Sequence, residues 1–204
     1  MRAPVLVLAG LTGCAPVLPD LVALQRSGDH AAIVARADEV EAVCTDDPAP
    51  CAQARAVLGH ACLALARRAP GEAARASLDC AVEALDAALA AGLPPSVGGR
   101  AVAVYEASRL DALNRRIGLA PSAGAAAPDA AALDRAAAGF AARYPADWRG
   151  PFYRALAALQ LGDCAGLVAA AAGLGEVAGG AARIDATRRA LAAARAGCAG
   201  EGSR

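Results

Sequence analysis

The sequence predicts an all-α chain built from antiparallel helix hairpins. Three observations carry that expectation. Nearly all of the 204 residues fall into apolar-periodic segments punctuated by Pro and Gly. No segment shows the β-branched alternation of a strand. Helix starts bear the expected capping residues: Asp29 before His30, Ser96 after Pro94-Pro95, Pro128 leading Asp129, and Asp163 before Cys164.

The first element is a leader. Arg2 precedes an apolar run from Ala3 to Leu11, and small residues then lead to Cys14. One early positive charge, a short apolar core and small residues before a cysteine make a secretory signal of residues 1–13, which is set aside before fold reasoning. Pro4, Gly10 and Gly13 argue against a stable buried helix there. The run is also far shorter than the roughly 20 apolar residues of a membrane span, and Arg, Asp or Glu interrupt every later alanine-rich segment. The tetrad Leu11-Thr12-Gly13-Cys14 resembles the lipobox of bacterial lipoproteins. That resemblance implies cleavage before Cys14, a diacylglyceryl group on its thiol, and stable membrane anchoring, which takes at least two acyl chains. With Ala15 rather than Asp after the cysteine, it further implies the outer membrane, with the chain facing the periplasm.

Helices then follow in series over Pro19–Gln25, His30–Val43, Pro50–Arg68, Glu72–Ala91, Ser96–Ile117, Asp129–Tyr144, Gly150–Leu161, Cys164–Leu174 and Ala181–Ala196. Connections are short with one exception. Residues 118–128 are rich in Ala, Pro and Gly and read as a mobile linker. It divides the mature chain into N-terminal hairpins (14–117) and C-terminal hairpins (129–204).

The run Tyr153-Arg154-Ala155-Leu156-Ala157-Ala158-Leu159-Gln160-Leu161-Gly162-Asp163, followed by Leu167 and Ala171, resembles a tetratricopeptide repeat (TPR). Ala155 stands at the small first-helix position and Gly162-Asp163 at the turn. A weaker copy spans Leu21 to Val40 with Gly28-Asp29 at its turn. Another begins at Leu58-Gly59, with Gly59 at the small-residue position, and continues through Ala81, Leu85, Ala88 and Pro94. The resemblance implies hairpins stacked as a TPR-like α-solenoid, an architecture that presents concave binding surfaces.

Beyond Cys14, six cysteines remain: Cys44, Cys51, Cys62, Cys80, Cys164 and Cys198. An even count in an exported chain reads first as disulfides. Six thiols allow 15 pairings, and turn symmetry selects among them. Cys44 and Cys51 flank Thr45 to Pro48, Cys62 and Cys80 are nearly equidistant from Pro70-Gly71, and Cys164 and Cys198 flank the glycine-rich stretch Gly173 to Gly180. Sequential pairing follows, provided that small interface residues bring the helices close enough for the bridges. About three residues in ten are alanine, which buries little apolar area. Staples worth about 2 to 4 kcal/mol each would therefore matter.

The charges exclude some function classes. Twenty basic residues, all Arg, balance twenty acidic ones, interspersed along the helices with no basic stripe. Nucleic-acid binding is not expected. Catalysis is not expected either, because the two histidines, His30 and His60, accompany no His-Glu-x-x-His, phosphate loop or Cys-x-x-Cys. His60 and Cys62 are too close in sequence to face each other on a helix. Asp46-Asp47 reads as turn chemistry. His60 with Cys51, Cys62 and Cys80 forms a soft metal site only if those thiols are reduced. No cofactor and no metal are expected.

One constellation stands out from the alanine background. Five of the six aromatic residues are Phe140, Tyr144, Trp148, Phe152 and Tyr153, interleaved with Arg143, Arg149 and Arg154. They either fill the core, with Tyr105 as the ring they pack against, or form a binding surface, since Tyr, Trp and Arg dominate hot spots. Candidate partner or ligand residues are Tyr144, Trp148, Arg149, Phe152 and Tyr153. Two functions fit. The first is a lipid-anchored, non-enzymatic scaffold that docks another cell-envelope protein. The second is a periplasmic small-molecule or metal binding module associated with solute uptake, with a pocket near Trp148.

Intact mass of the membrane-extracted protein tests the leader. Two or more acyl chains on a chain beginning at Cys14 are expected, and an uncut, unacylated N-terminus would refute the anchor.

Overall fold

The computed structural model describes residues 17–46 and 48–177, together with Asp185, Ala192 and Cys198. The leader, Cys14 and nearly all of the expected helix Ala181–Ala196 lie outside the described residues. Nine helices occur among the described residues: α1 Val17–Ser27, α2 His30–Val34, α3 Ala37–Asp46, α4 Pro48–Ala66, α5 Gly71–Ala91, α6 Val102–Gly118, α7 Ala123–Arg143, α8 Arg149–Leu161 and α9 Cys164–Glu176. Sequential neighbours pack antiparallel, from α4 on α5 through α8 on α9, while α1 and α2 lie against α4. The all-α expectation holds, with one small exception.

That exception is a hairpin of β1 Ser96–Val97 and β2 Arg100–Ala101 where a helix start was expected. Gly98 and Gly99 both adopt positive φ, 58° and 83°, the conformation required by a two-residue turn whose twist matches antiparallel strands. Residue pair Gly-Gly is a hairpin signal, so the cue was present in the sequence. Val97 is buried, and Gly98 lies against Val22 and Gln25 of α1. Ser96 therefore caps no helix, and α6 begins six residues later.

Two other boundaries differ. The helix expected over His30–Val43 breaks at Ala35-Arg36, where the Arg36 N–H bonds Ile33 O at 3.1 Å and the Arg36 carbonyl opens α3 by accepting from Glu39 and Val40. The stretch expected to be a mobile linker is largely helix. Ser122 Oγ accepts from Ala125 N at 3.2 Å, so the cap lies seven residues before Asp129 and Pro128 falls inside α7. Ala126 and Ala130 are buried, and Asp129 binds Arg116 of α6 at 2.7 Å. Burial and an ion pair thus hold a segment that composition alone marks as loop. The caps Asp29 and Asp163 are as expected, accepting from Ala32 N and Gly166 N.

All three sequential disulfides are present. Cys44–Cys51 closes the α3–α4 turn, Cys62–Cys80 joins α4 to α5, and Cys164–Cys198 ties residue 198 to the start of α9. The corresponding Cα separations are 4.6, 6.0 and 5.6 Å. Small residues permit the 6.0 Å approach at Cys62–Cys80. A Cβ on Gly59 would lie 2.7 Å from Leu85 Cγ and 3.1 Å from the Ala81 carbonyl oxygen. Gly150 is equally confined, since a Cβ there would lie 2.7 Å from Ala141 Cβ. One contiguous core runs from Leu21 through Leu63, Leu85, Leu113 and Leu133 to Leu174.

Gly59→Ala is expected to lower unfolding stability by about 1 to 3 kcal/mol through overpacking against α5. Urea denaturation of the oxidised protein checks this, with the exposed Gly118→Ala as control.

Candidate functional site

The aromatic–arginine constellation occupies the corner where α7 turns into α8. Tyr144 follows the last turn of α7, with its N–H bonded to Phe140 O at 2.8 Å. The chain then reverses over Pro145 to Trp148. Asp147 fixes that reversal, because Oδ1 accepts from the Arg149 backbone N–H at 3.0 Å and from its Nε at 2.9 Å. The Arg149 guanidinium holds the Asp147 carboxyl below its ordinary pKa, chiefly through their hydrogen bond. Arg149 also sits over the Phe140 ring, 5.4 Å from its centroid.

The structure divides the five rings between the two roles. Phe140, Phe152 and Tyr153 are buried, whereas Tyr144 and Trp148 are half-buried. Contacts link them in pairs: Phe140–Tyr144 at 4.7 Å, Trp148–Phe152 at 5.3 Å and Phe152–Tyr153 at 5.0 Å. Tyr144, Trp148 and Arg149 line a broad, open depression of about 680 Å³ with Pro145, Ala146 and Asp147. Phe152 and Tyr153 thus support this surface from beneath. The Tyr153 hydroxyl lies 3.4 Å from Asp111 Oδ1 of α6. Arg143 is bound to Glu106 at 2.7 Å and Arg154 to Asp134 at 3.4 Å, so both tie α7 to its neighbours.

Tyr105 does not join these rings. Its side chain is fully buried in a second cluster, between α1, α4, α6 and the hairpin. The Tyr105 hydroxyl donates to Val97 O at 3.0 Å and accepts from Gln25 Nε2 at 3.2 Å. Its ring meets His60 edge-on at 6.0 Å, and His60 in turn meets His30 at 6.2 Å. Sequence reading weighed His60 only with its neighbouring cysteines and missed this pairing across thirty residues. No local pattern encodes it, because the packing of α2 on α4 brings the two rings together.

Ser108 orients His60. Its hydroxyl donates to Val104 O at 2.8 Å, so the 2.9 Å contact with His60 Nδ1 requires the ring to carry its proton on Nδ1. That polarity is the reverse of a serine nucleophile, which donates to imidazole. Burial, then Arg100, His30 and Arg67, push the His60 pKa down to about 4. Burial and the nearby Arg68 and Arg100 lower that of His30, against Asp29, and His30 Nδ1 is buried without a hydrogen-bond partner among the described residues.

The metal arrangement expected as an alternative fails on its ligands. Cys51, Cys62 and Cys80 are all bonded in disulfides, so none offers His60 a thiolate. Among the described residues no group of three or more His, Cys, Asp or Glu converges on one metal position.

Fold and bridges together define a disulfide-stapled protein of stacked helices, suited to an oxidising, extracytoplasmic compartment. No helix of the described residues is long and apolar enough to cross a membrane. Comparison with protein-family models, curated proteins and solved structures finds no match.

His60 predicts a pH dependence of a defined sign. Neutral in the folded state down to about pH 4, it takes up its proton near pH 6.5 when unfolded. The unfolded state therefore binds more protons between these limits, and stability falls as pH is lowered through that window, by up to about 3 kcal/mol. Urea unfolding at pH 7.5 and pH 4.5 should show a smaller loss for His60→Gln than for the parent. Equal losses would refute the assignment.

Proposed function

We propose that this chain is a lipid-anchored protein of the cell envelope, held through acylated Cys14, whose TPR-like hairpins form a non-enzymatic scaffold that docks another envelope protein. One observation carries the docking role. Tyr144, Trp148 and Arg149 form an amphipathic patch on a floor of buried rings, and partly exposed aromatic and arginine side chains on a rigid support are what binding hot spots are made of.

The shape of the depression favours a protein partner over a small ligand, because small-molecule sites enclose most of their ligand's surface and this one is open. Leu159 and Leu161, at the opposite end of α8, and Val168 of α9 are also exposed, at 41%, 43% and 37%. The lipobox resemblance supports the anchor, Ala15 supports its outer-membrane address, and the three bridges support the compartment.

Photo-crosslinking in intact cells tests docking. A crosslinker placed at Tyr144 is expected to yield one discrete protein adduct that a crosslinker at the exposed Arg26 of α1 does not. Trp148→Ala should reduce the adduct about tenfold or more at an unchanged level of folded protein. Absence of an adduct, or identical adducts from both positions, would refute the proposal.

A further inference from the structure

A second hollow lies at the far side of the helical stack, where α4 ends, α5 begins and α6 ends. It measures about 380 Å³, and Ala66, Ala74, Leu78 and Leu119 make its apolar floor, with Arg67 and Arg115 also in its wall. No carboxylate lines it.

The two arginines are drawn together by one buried anion. Asp111 Oδ2 accepts from Arg67 Nε at 3.0 Å, from Arg67 NH2 at 2.7 Å and from Arg115 Nε at 3.1 Å. Asp111 has a side-chain exposure of 12%, whereas Arg67 and Arg115 stand at 46% and 40%. Two guanidinium groups thus share one carboxylate, which leaves a net charge of one positive unit. Arg67 NH1 and both terminal nitrogens of Arg115 carry N–H groups with no acceptor among the described residues. Paired planar donors of this kind match the oxygens of a carboxylate or phosphate.

Several carbonyl oxygens at this end of the stack already accept hydrogen bonds. Carbonyls of Leu63 and Leu65 accept from the N–H groups of residues 67–69, those of Arg115, Arg116 and Ile117 accept from Leu119 and Ala120, and Arg75 donates to Leu119 O. The first-turn N–H groups of α5 have no side-chain cap from Pro70 and face the hollow beside the arginine pair, opposing the negative C-terminal ends of α4 and α6, so the two guanidinium groups supply the attraction for an anion. Glu72, in that same turn, is exposed and does not line the hollow.

We propose that this hollow binds a small oxyanion carrying a short apolar group, with Arg67 and Arg115 gripping the oxygens and Leu78 and Leu119 covering the apolar part. This site is distinct from the α7–α8 corner and stands independently of the docking role. Calorimetric titration of the full oxidised chain at constant ionic strength tests it, with sodium butyrate, sodium phosphate and sodium chloride as probes. Saturable one-to-one binding of butyrate or phosphate, and none of chloride, is expected. Butyrate alone assigns a carboxylate ligand and phosphate alone a phosphoryl ligand. Arg115→Gln should weaken binding about tenfold or more, since Arg67 and Tyr153 still hold Asp111. Ala69→Asp, which adds a negative charge at the rim without touching the Asp111 cluster, should weaken it similarly. Arg68→Gln, outside the hollow, should leave it unchanged. No saturable binding below about 20 mM of any probe, a dissociation free energy of only about 2 kcal/mol, would overturn the proposal. So would full affinity in a folded Ala69→Asp protein.

Discussion

Shortage of apolar bulk is the constraint that shapes this molecule. Alanine supplies much of the buried surface, including Ala54, Ala56, Ala61, Ala81, Ala88, Ala112, Ala130, Ala137, Ala155 and Ala157. Each contributes roughly one methyl group of burial, far less than a leucine. The fold compensates by proximity. With Gly59 against Leu85 and Gly150 against Ala141, helices approach until backbone and short side chains touch, and dispersion contacts replace side-chain volume. That same closeness places Cys62 and Cys80 within bridging distance. Disulfides and alanine interfaces are therefore one device, because the bridges restrict the unfolded chain where burial alone stabilises little.

Polar links between helices do a second part of the work. Asp111 receives Arg67 from the end of α4 and lies within 3.4 Å of the Tyr153 hydroxyl on α8. Glu106 of α6 holds Arg143 at the end of α7, and Asp129 of α7 holds Arg116 of α6. Tyr105 and Gln25 connect α6, α1 and the hairpin in a satisfied buried chain. A stack of alanine-faced helices has few shape features that fix one helix against another, and buried hydrogen bonds with directional geometry can supply that register. The exposed pairs, such as Arg55 with Glu41, contribute little by comparison.

Much of the fold was legible because its signals are local. Asp29 and Asp163 cap helices as three-residue patterns, and Cys62 and Cys80 pair because nearly equal distances from Pro70-Gly71 place them opposite each other. Misreadings arose where a local signal competed with tertiary contact. Gly98-Gly99 turns a hairpin that packs on α1, yet Ser96 after two prolines looks like a helix cap. Residues 118–128 have loop composition, but Ser122, buried Ala126 and the Asp129–Arg116 pair make most of them helical. Of the candidate site, Tyr144, Trp148 and Arg149 were visible as a cluster within a few residues. His30 with His60, and Arg67 with Arg115, are joined only by the packing of separate helices, so no spacing rule could reveal them.

The position of the aromatic corner follows from the same constraint. A chain with six aromatic residues must place them where they fill most space, and the junction of α6, α7 and α8 receives Phe140, Phe152 and Tyr153. Because α7 and α8 meet through Gly150 and Ala141, the turn between them is pulled tight against that core, and the next rings in sequence, Tyr144 and Trp148, are left half outside. Their exposure is thus a geometric consequence of a close helix crossing followed by a short turn. The proposed docking role draws on how these side chains are held: Asp147 bonds Arg149, Phe152 meets Trp148 edge-on, and Phe140 contacts both Tyr144 and Arg149. Side chains already held in place lose little conformational entropy when a partner covers them.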